Sequence, residues 1–567
     1  MTSVSKPKGV SMKRSLLFAA LLTACSASPQ VADELPKAQE SESVHVKVIG
    51  VNDFHGHLEG PSGKVKIDGE AIEAGGAAYL AQRISDIKKF HPNTVVVGAG
   101  DMIGASPLIS ALFQDEPAIE ALNEAGMDIN AVGNHEFDEG VEELMRIAKG
   151  GCHPTHGCFA ESEYGGAKFE MLAANVTWKS DGKTIFPAYS IREFEGVKVG
   201  FIGLTLEGTP SIVDPSGIKD VDFGDEAEAI NKATEELKAA GVKAIVVLIH
   251  EGGRPAATDH PDDCTEISGP ILEIVKNTDK EVDVFVTGHT HQPYICTIDD
   301  RLVTSAKSYG QVISEIDLQV DRKTQDVVSK TARNIIIDRT GEEHAATLAV
   351  VEKYRPIVEP MANRPIGQVT ADVLRTTDEN GESPLGRLIA DVQLDATSST
   401  DLGGAQIAFM NPGGIRADLL HAPEGGVPGE VTFAQAHTIQ PFSNSLITMT
   451  LSGKQLHQLL EQQWLDQSRP RLLQVSKGFE YTWSESAAAG SKVDPKTMKL
   501  NGKVIDPAAN YRVTVNSFIA VGGDGFTVLV DGTDQLGGPI DLDAFVSYFG
   551  KKSPVEPPTK KRITRKP

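Results

Sequence analysis

Positive charge is in short supply along this chain of 567 residues, where 54 lysines and arginines face 78 aspartates and glutamates for a formal net charge of −24. That balance argues against a nucleic acid polymer or an anionic membrane surface as the main partner, because both would be repelled. A phosphorylated substrate would be repelled too, unless bound metal ions and a few arginines supply local positive charge. Beyond the N-terminal segment no stretch is apolar enough to cross a bilayer. No internal repeat is visible. Cysteine is scarce, at five residues, and its placement fits an exported protein. What remains is ordinary: 40% hydrophobic residues suit a soluble globular protein, and the length calls for two domains.

The N-terminus reads as an export signal. Lys6, Lys8, Lys13 and Arg14 precede the apolar run 16–22, which is too short for a membrane-spanning anchor. Leu22-Thr23-Ala24-Cys25 resembles a bacterial lipobox, in which Cys25 would be lipidated; plain cleavage near Ala24 or Ala27 is the alternative. Met12 is a more compact start than Met1. Residues 1–25 are thus expected to be a signal peptide with lipobox, and 26–43 a flexible polar tether. The expected location is periplasmic or cell-surface, as an outer-membrane lipoprotein touching the membrane through its lipid anchor only. The other four cysteines allow three connectivities, of which Cys152–Cys158 with Cys264–Cys296 is expected. The spacing of the 152–158 loop matches no standard zinc motif.

Five apolar runs end in the same kind of polar residue. Asp53 and His55 follow 46–51, Asp101 follows 94–100, and His250 follows 244–249. His289 and His291 follow 282–288, and Gly133-Asn134-His135-Glu136-Phe137-Asp138 follows 128–132. Turns beyond buried strands are where open α/β sheets build their sites. Carboxylate, imidazole and amide oxygen form a mixed ligand set for divalent transition metals. The count suits two ions sharing a bridging carboxylate, an arrangement used for phosphoryl transfer.

Around these runs the pattern alternates. Residues 74–90 predict a helix with Tyr79, Leu80, Ile84 and Ile87 on one side, 197–203 a strand, 225–240 an amphipathic helix, and 313–320 a strand near a sheet edge. Alternation implies a layered α/β core. A helix over 342–361, with Pro356 inside, should link two halves rather than belong to a core. A second α/β region begins near Gly367, with Ser383 and Pro384 opening a helix. Strands are expected at 406–410, 446–451, 472–483 and 511–516, and a last helix at 542–549. Residues 551–567, rich in proline, lysine and arginine, read as a solvated basic tail.

Asp53-Phe54-His55, Gly100-Asp101, Gly133-Asn134-His135-Glu136, His250 and Gly288-His289-Thr290-His291 together resemble the signature of calcineurin-like metallophosphoesterases. Asn134 to Asp138 narrows the resemblance to the bacterial 5′-nucleotidase branch, and it extends from about Val44 to Phe549. Asn411-Pro412-Gly413-Gly414-Ile415-Arg416 is similar to that family's Asn-Gly-Gly-Gly-Ile-Arg, with Pro412 as a departure. Pro441-Phe442 is followed by Ser443 where the family has glycine. The run from Asn516 to Phe526 is a long match.

The resemblance implies an α/β/β/α sandwich over 44–338, a linker helix over 339–364 and a smaller α/β substrate-binding domain over 365–550, ahead of the tail. It implies two divalent ions (Zn, Mn, Co or Mg), one held by Asp53, His55, Asp101 and His291, the other by Asp101, Asn134, His250 and His289. His135 would stabilise phosphoryl oxygens or protonate the leaving group, oriented by Asp138, while Glu136 is structural. His91, His153 and His437 are left as surface or core residues. Asn411 and Arg416 would meet the substrate's anionic group, Phe442 and Phe518 would sandwich a base, and Asp524 would accept from ribose hydroxyls. One departure bears on specificity: Glu379-Asn380-Gly381 stands where the family carries further arginines, for which Arg375 or Arg387 could substitute.

The implied function is hydrolysis of extracytoplasmic nucleotides to nucleoside and phosphate by a water that two metals activate. The alternatives are a 2′,3′-cyclic-nucleotide phosphodiesterase, a UDP-sugar hydrolase, or a nucleotide-binding surface protein without catalysis. Oligomeric state is not legible. Members of this family rotate the second domain against the first, so a single structure can place the base clamp far from the metals.

Overall fold

Runs of valine, isoleucine and leucine build two six-stranded sheets; in Ala244–Ile249 every residue is buried. The computed structural model describes residues 42–567 apart from 62–63, 68, 160–162, 257–259, 424 and 468. The expectations for the signal peptide, Cys25 and most of the tether lie outside the described residues. The first sheet runs Val327–Ile336, Val312–Asp321, Ser43–Val51, Thr94–Ala99, Ile129–Ala131, Glu170–Leu172. The second runs Tyr294–Ile298, Arg301–Ser305, Val282–Thr287, Ala244–Ile249, Val197–Leu204, Tyr189–Phe194. In the first sheet Val327–Ile336 and Val312–Asp321 pair antiparallel and the strands from Ser43–Val51 to the Glu170–Leu172 edge are parallel, while in the second a parallel centre is flanked by an antiparallel strand on each side. Val48, Val97 and Ile129 of one sheet meet Phe201, Val246 and Val284 of the other in a shared core. Helices Ala77–Phe90 and Glu116–Ala125 cover one outer face, and Glu226–Ala239 and Ile271–Asn277 the other. The result is the expected α/β/β/α sandwich. Its parallel strands release Asp53, Asp101, Asn134, His250 and His289 just past their ends.

The second half holds a five-stranded and a four-stranded sheet. Ser383 caps the helix Pro384–Thr397 by accepting from the Gly386 N–H at 2.9 Å, with Pro384 at the first turn. The single strand expected over 472–483 is two, Gln474–Val475 and Phe479–Ser484, in different sheets. Gly478 turns the chain between them at φ 91°.

The linking helix is a correction. Ala345–Ala362 contains Pro356 as expected, but it buries Val351, Tyr354 and Val358 in the first half's core. Apolar residues at these spacings form a core-facing stripe, so the helix is part of that core as well as a connection. Phe433 of the second half packs against both cores, and 42–567 form one compact unit. Cys152 is joined to Cys158 and Cys264 to Cys296, the expected connectivity.

The basic tail is a second correction. Ile563–Lys566 pairs in parallel with Phe479–Ser484, and Val555 and Ile563 are buried. Arg562 grips both oxygens of Asp391 at 2.8 and 2.7 Å and donates to the Val475 carbonyl at 2.6 Å. Both side chains are nearly shielded, at 7% and 10% exposure. Lysines 560 and 561 face water, and it is the next two residues that turn inward. Arg562→Ala would strand a buried carboxylate, so the expected loss is about 3–5 kcal/mol of unfolding free energy, read from urea midpoints. A loss below about 1 kcal/mol would return the segment to the surface category.

Candidate functional site

The strand ends leave their sheets through uncommon backbone geometry. Asp53, His55, Asp101, His289 and His291 all lie in the left-handed region, with φ of 50°, 47°, 54°, 66° and 56°. Non-glycine residues adopt it at a cost, and clusters of them gather where a site overrides local preference. Glu136 pins two of the turns together, accepting N–H groups from Gly133 at 2.8 Å, Asp101 at 3.0 Å and Met102 at 2.9 Å. Burial and the Asp101 charge push its carboxyl up to about 7. This agrees with a structural role for Glu136.

Seven of the predicted side chains converge in the space these turns enclose. His250 Nε2 lies 2.9 Å from Asp101 Oδ2, and His55 Nε2 lies 3.7 Å from the same oxygen. His291 Nε2 is 3.2 Å from both Asp53 Oδ1 and His55 Nε2. Asn134 Oδ1 sits 3.2 Å from His250 Nε2 and 3.1 Å from His289 Nδ1. Burial opposes ionisation of Asp53 and Asp101, but His291 and His250 outweigh it and hold both carboxyls below their usual range. Burial likewise lowers His55, and takes His289 down to about 3. It opposes charge on His250 as well, yet Asp101 prevails and lifts that imidazole to about 10.

These contacts fit a cation. His250 Nδ1 is tied to the Ala99 carbonyl at 2.7 Å and His55 Nδ1 to the Gly104 carbonyl at 2.8 Å. Each tie places the proton of a neutral ring on Nδ1 and turns the Nε2 lone pair inward. Those lone pairs face oxygens of Asp101 and Asn134 and the His291 nitrogen, an arrangement favourable only with a proton or metal ion between them. Asp53, His55 and His291 form one set of groups that could hold an ion, and Asp101, His250 and His289 a second. His55, Asp101 and His135 form a third, which the sequence reading did not foresee.

His135 Nδ1 bonds Asp138 Oδ2 at 2.7 Å, leaving Nε2 free. Burial disfavours its charge, but Asp138 and Asp101 raise its pKa above the usual value. Its backbone N–H donates to Asp101 Oδ1 at 2.9 Å. Two supports were not anticipated: Asn52 donates to Asp53 Oδ2 at 2.6 Å, and Tyr309 stacks on His57 at 3.9 Å beneath the His55–His291 pair.

Of the residues expected to form the base clamp, Phe442 lies against this cluster and Phe518 and Asp524 line the same cavity. The ring of His135 stacks on Phe442 at 5.8 Å, only 12° from parallel. A cavity of about 1110 Å³ is lined by Asn134, His135 and His289 from one half and by Arg375, Asn411, Arg416, Phe442, Phe518 and Asp524 from the other. The Arg416 guanidinium stands 5.8 Å from the Phe442 ring. Asn516 donates to Asn411 Oδ1 at 2.8 Å, and Asn411 donates to Asp524 Oδ2 at 2.7 Å. Arg387 does not reach the cavity: it is buried against Glu382 and the Pro558 carbonyl, at 3.6 and 2.9 Å. Arg469 and Arg471 line it instead, and Arg471 pairs with Asp524. No motif marks that pair in the sequence; two arginines flanking Pro470 just before an apolar run were the only signal. Arg375, Arg416, Arg469 and Arg471 thus bring positive charge to one cavity in a chain of net −24.

The calcineurin-like phosphoesterase profile matches residues 46–293, and the 5′-nucleotidase C-terminal domain profile matches 365–531. The endonuclease YhcR of Bacillus subtilis is 35% identical over 551 residues, covering 95% of this chain but 42% of YhcR. The cell wall protein Lmo0130 of Listeria monocytogenes is 32% identical over 539 residues, covering 90% of this chain and 67% of that protein. The chain therefore spans less than half the length of the first relative. The crystal structure of a 5′-nucleotidase precursor from Thermus thermophilus superposes with a TM-score of 0.75 at 27% identity, over 92% of this chain and 99% of that one.

Proposed function

The chain belongs to the calcineurin-like phosphoesterases that carry a 5′-nucleotidase C-terminal domain, and from that premise we propose that it hydrolyses nucleoside 5′-monophosphates to nucleoside and phosphate. The observation that carries this reading is the single cavity joining the Asp/His cluster to Phe442, Phe518 and Asp524. Asp53, His55, Asp101 and His291 would hold one divalent ion and Asp101, Asn134, His250 and His289 a second, which when bound supply Lewis-acid charge and an acidified water.

The remaining work falls to the chain itself. Phosphoryl transfer needs positioning and charge stabilisation more than covalent help. With Nδ1 tied to Asp138, His135 offers Nε2–H to a phosphoryl oxygen or to the departing 5′-oxygen. Water oxygen bonds to phosphorus, the bond from phosphorus to the 5′-oxygen breaks in line, and that oxygen takes up a proton. Asn411 and Arg416 meet the anionic group, Phe442 and Phe518 sandwich the base, and Asp524 faces the ribose. Among the described residues no helix is long and apolar enough to cross a membrane. Two disulfides support action outside the cytoplasm, with Cys25 as the proposed lipid anchor.

The clamp is tested with two substrates. Binding energy from a remote base places the phosphate, so Phe518→Ala should lower kcat/KM for a nucleoside monophosphate by about 5–150-fold, the equivalent of 1–3 kcal/mol of stacking. An aryl phosphate has no base to stack and should change less than about threefold. Phe442→Ala should affect both substrates, because Phe442 also supports His135. Equal losses on both substrates for Phe518→Ala would remove the clamp from the argument.

A further inference from the structure

Both carboxylate oxygens of Asp524 already have a protein partner, so a ribose hydroxyl would share an oxygen with Asn411 or Arg471. Asp524 Oδ2 accepts from Asn411 at 2.7 Å, its Oδ1 is taken by Arg471, and its backbone carbonyl accepts from Gln467 at 2.7 Å. With Arg471 seated there, the ribose end of the cavity presents guanidinium N–H donors. Arg471 Nε is buried with no partner among the described residues. Across Pro470, Arg469 lines the same cavity and has no hydrogen-bond or ion-pair partner among the described residues.

The surroundings leave that charge unbalanced. Arg254, on the turn beyond the strand that delivers His250, lies close enough to repel Arg469. The acids facing Arg469 are Asp524, already paired, and Glu251, buried and holding the Gly252 N–H at 2.7 Å. Although the Arg469 side chain reaches solvent, the crowding of protein around it, together with Arg254 and Arg471, pulls its pKa below the usual arginine value. Arg469 and Arg471 share one wall of the cavity, and planar guanidinium forks with several donors match phosphate oxygens.

We propose that Arg469 and Arg471 form a second anion subsite at the ribose end of the cavity, taking a phosphate on the 2′- or 3′-oxygen, so that nucleoside bisphosphates are preferred over 5′-monophosphates. This rests on the 5′-nucleotidase reading above. The reaction is unchanged: water oxygen bonds to the 5′-phosphorus, the bond to the 5′-oxygen breaks, that oxygen is protonated, and the ribose phosphate stays on the product. Asp524 does not repel the second phosphate outright, because Arg471 offsets its charge.

The test compares adenosine 5′-monophosphate, adenosine 2′,5′-bisphosphate and adenosine 3′,5′-bisphosphate as substrates of the metal-loaded protein. One bisphosphate should exceed the monophosphate in kcat/KM by about tenfold, the value of a charge-assisted contact, and which one does so identifies the oxygen. In Arg469→Gln that preference should fall to about twofold or less, and Arg469→Lys should recover part of it. Arg469 is exposed, so its melting temperature serves as a check that the fold is intact. The subsite is refuted if neither bisphosphate is preferred by the wild type, or if the preference survives Arg469→Gln. Hydrolysis of the monophosphate without such a preference would leave the nucleotidase reading standing. Hydrolysis of an aryl phosphate but of none of the three nucleotides would overturn both.

Discussion

Asp101→Asn is expected to lower kcat/KM for a nucleoside monophosphate by about 10⁴-fold or more, as befits a group charged with several kcal/mol of transition-state stabilisation. Asp101 is the carboxylate common to two of the three candidate ion-binding groups. Its Oδ2 faces His250 at 2.9 Å and His55 at 3.7 Å, and its Oδ1 holds the His135 N–H at 2.9 Å. Asparagine keeps the shape and removes the charge, so both ions should bind more weakly at once. Metal analysis of the purified variant and its melting temperature separate lost metal from lost fold. Chelation of the wild type should reproduce the inactivation, and Mn²⁺, Co²⁺ or Zn²⁺ should reverse it. Retained activity in Asp101→Asn, or in metal-stripped wild type, would end the two-ion reading.

His135→Ala should reduce kcat by about 10²–10³, the usual consequence of removing one transition-state donor, while metal content stays at the wild-type level. Two other roles are open to this ring on geometric grounds, and each leaves a different trace. It falls within reach of His55 and Asp101 as a third ion-binding group, in which case metal content would drop with rate. It also stacks on Phe442, in which case KM for nucleotides would rise while aryl phosphate turnover survived. Asp138→Asn should produce a smaller loss, about tenfold, because it removes only the charge that raises and orients the imidazole.

The ligand positions were legible in the sequence for a physical reason. Parallel strands buried on both faces read as unbroken apolar runs, so polar residues just beyond Ala244–Ile249 or Val282–Thr287 stand out. What no pattern carries is the left-handed backbone that lets Asp53, His55 and Asp101 point into one space. Thr533–Ile540 went unread because Thr-Asp-Gln-Leu-Gly-Gly-Pro-Ile lacks alternation and lies exposed at a sheet edge. Segment 551–567 reads as a solvated tail because many basic residues outweigh two inward ones, Arg562 and Ile563, whose partners Asp391 and Tyr481 are distant in sequence. Arg469 and Arg471 matter through a cavity wall that only the folded chain creates.

The parallel pairing of Ile563–Lys566 with Phe479–Ser484 has a bearing on biogenesis. The profile for the C-terminal domain ends at residue 531, yet the strand and the arginine that complete this half come later. A ribosome that has just made Ser484 leaves both edges of that strand open; Lys499–Leu500 soon covers one, but the other edge and Asp391 must wait for the chain's last residues. At typical elongation rates of about 5–20 residues per second, roughly 4–16 s pass before the missing piece exists. Parallel strands so far apart in sequence also pair slowly once both are present. The nascent second half therefore passes through a prolonged unsealed stage, in which an unpaired strand edge is available to other chains.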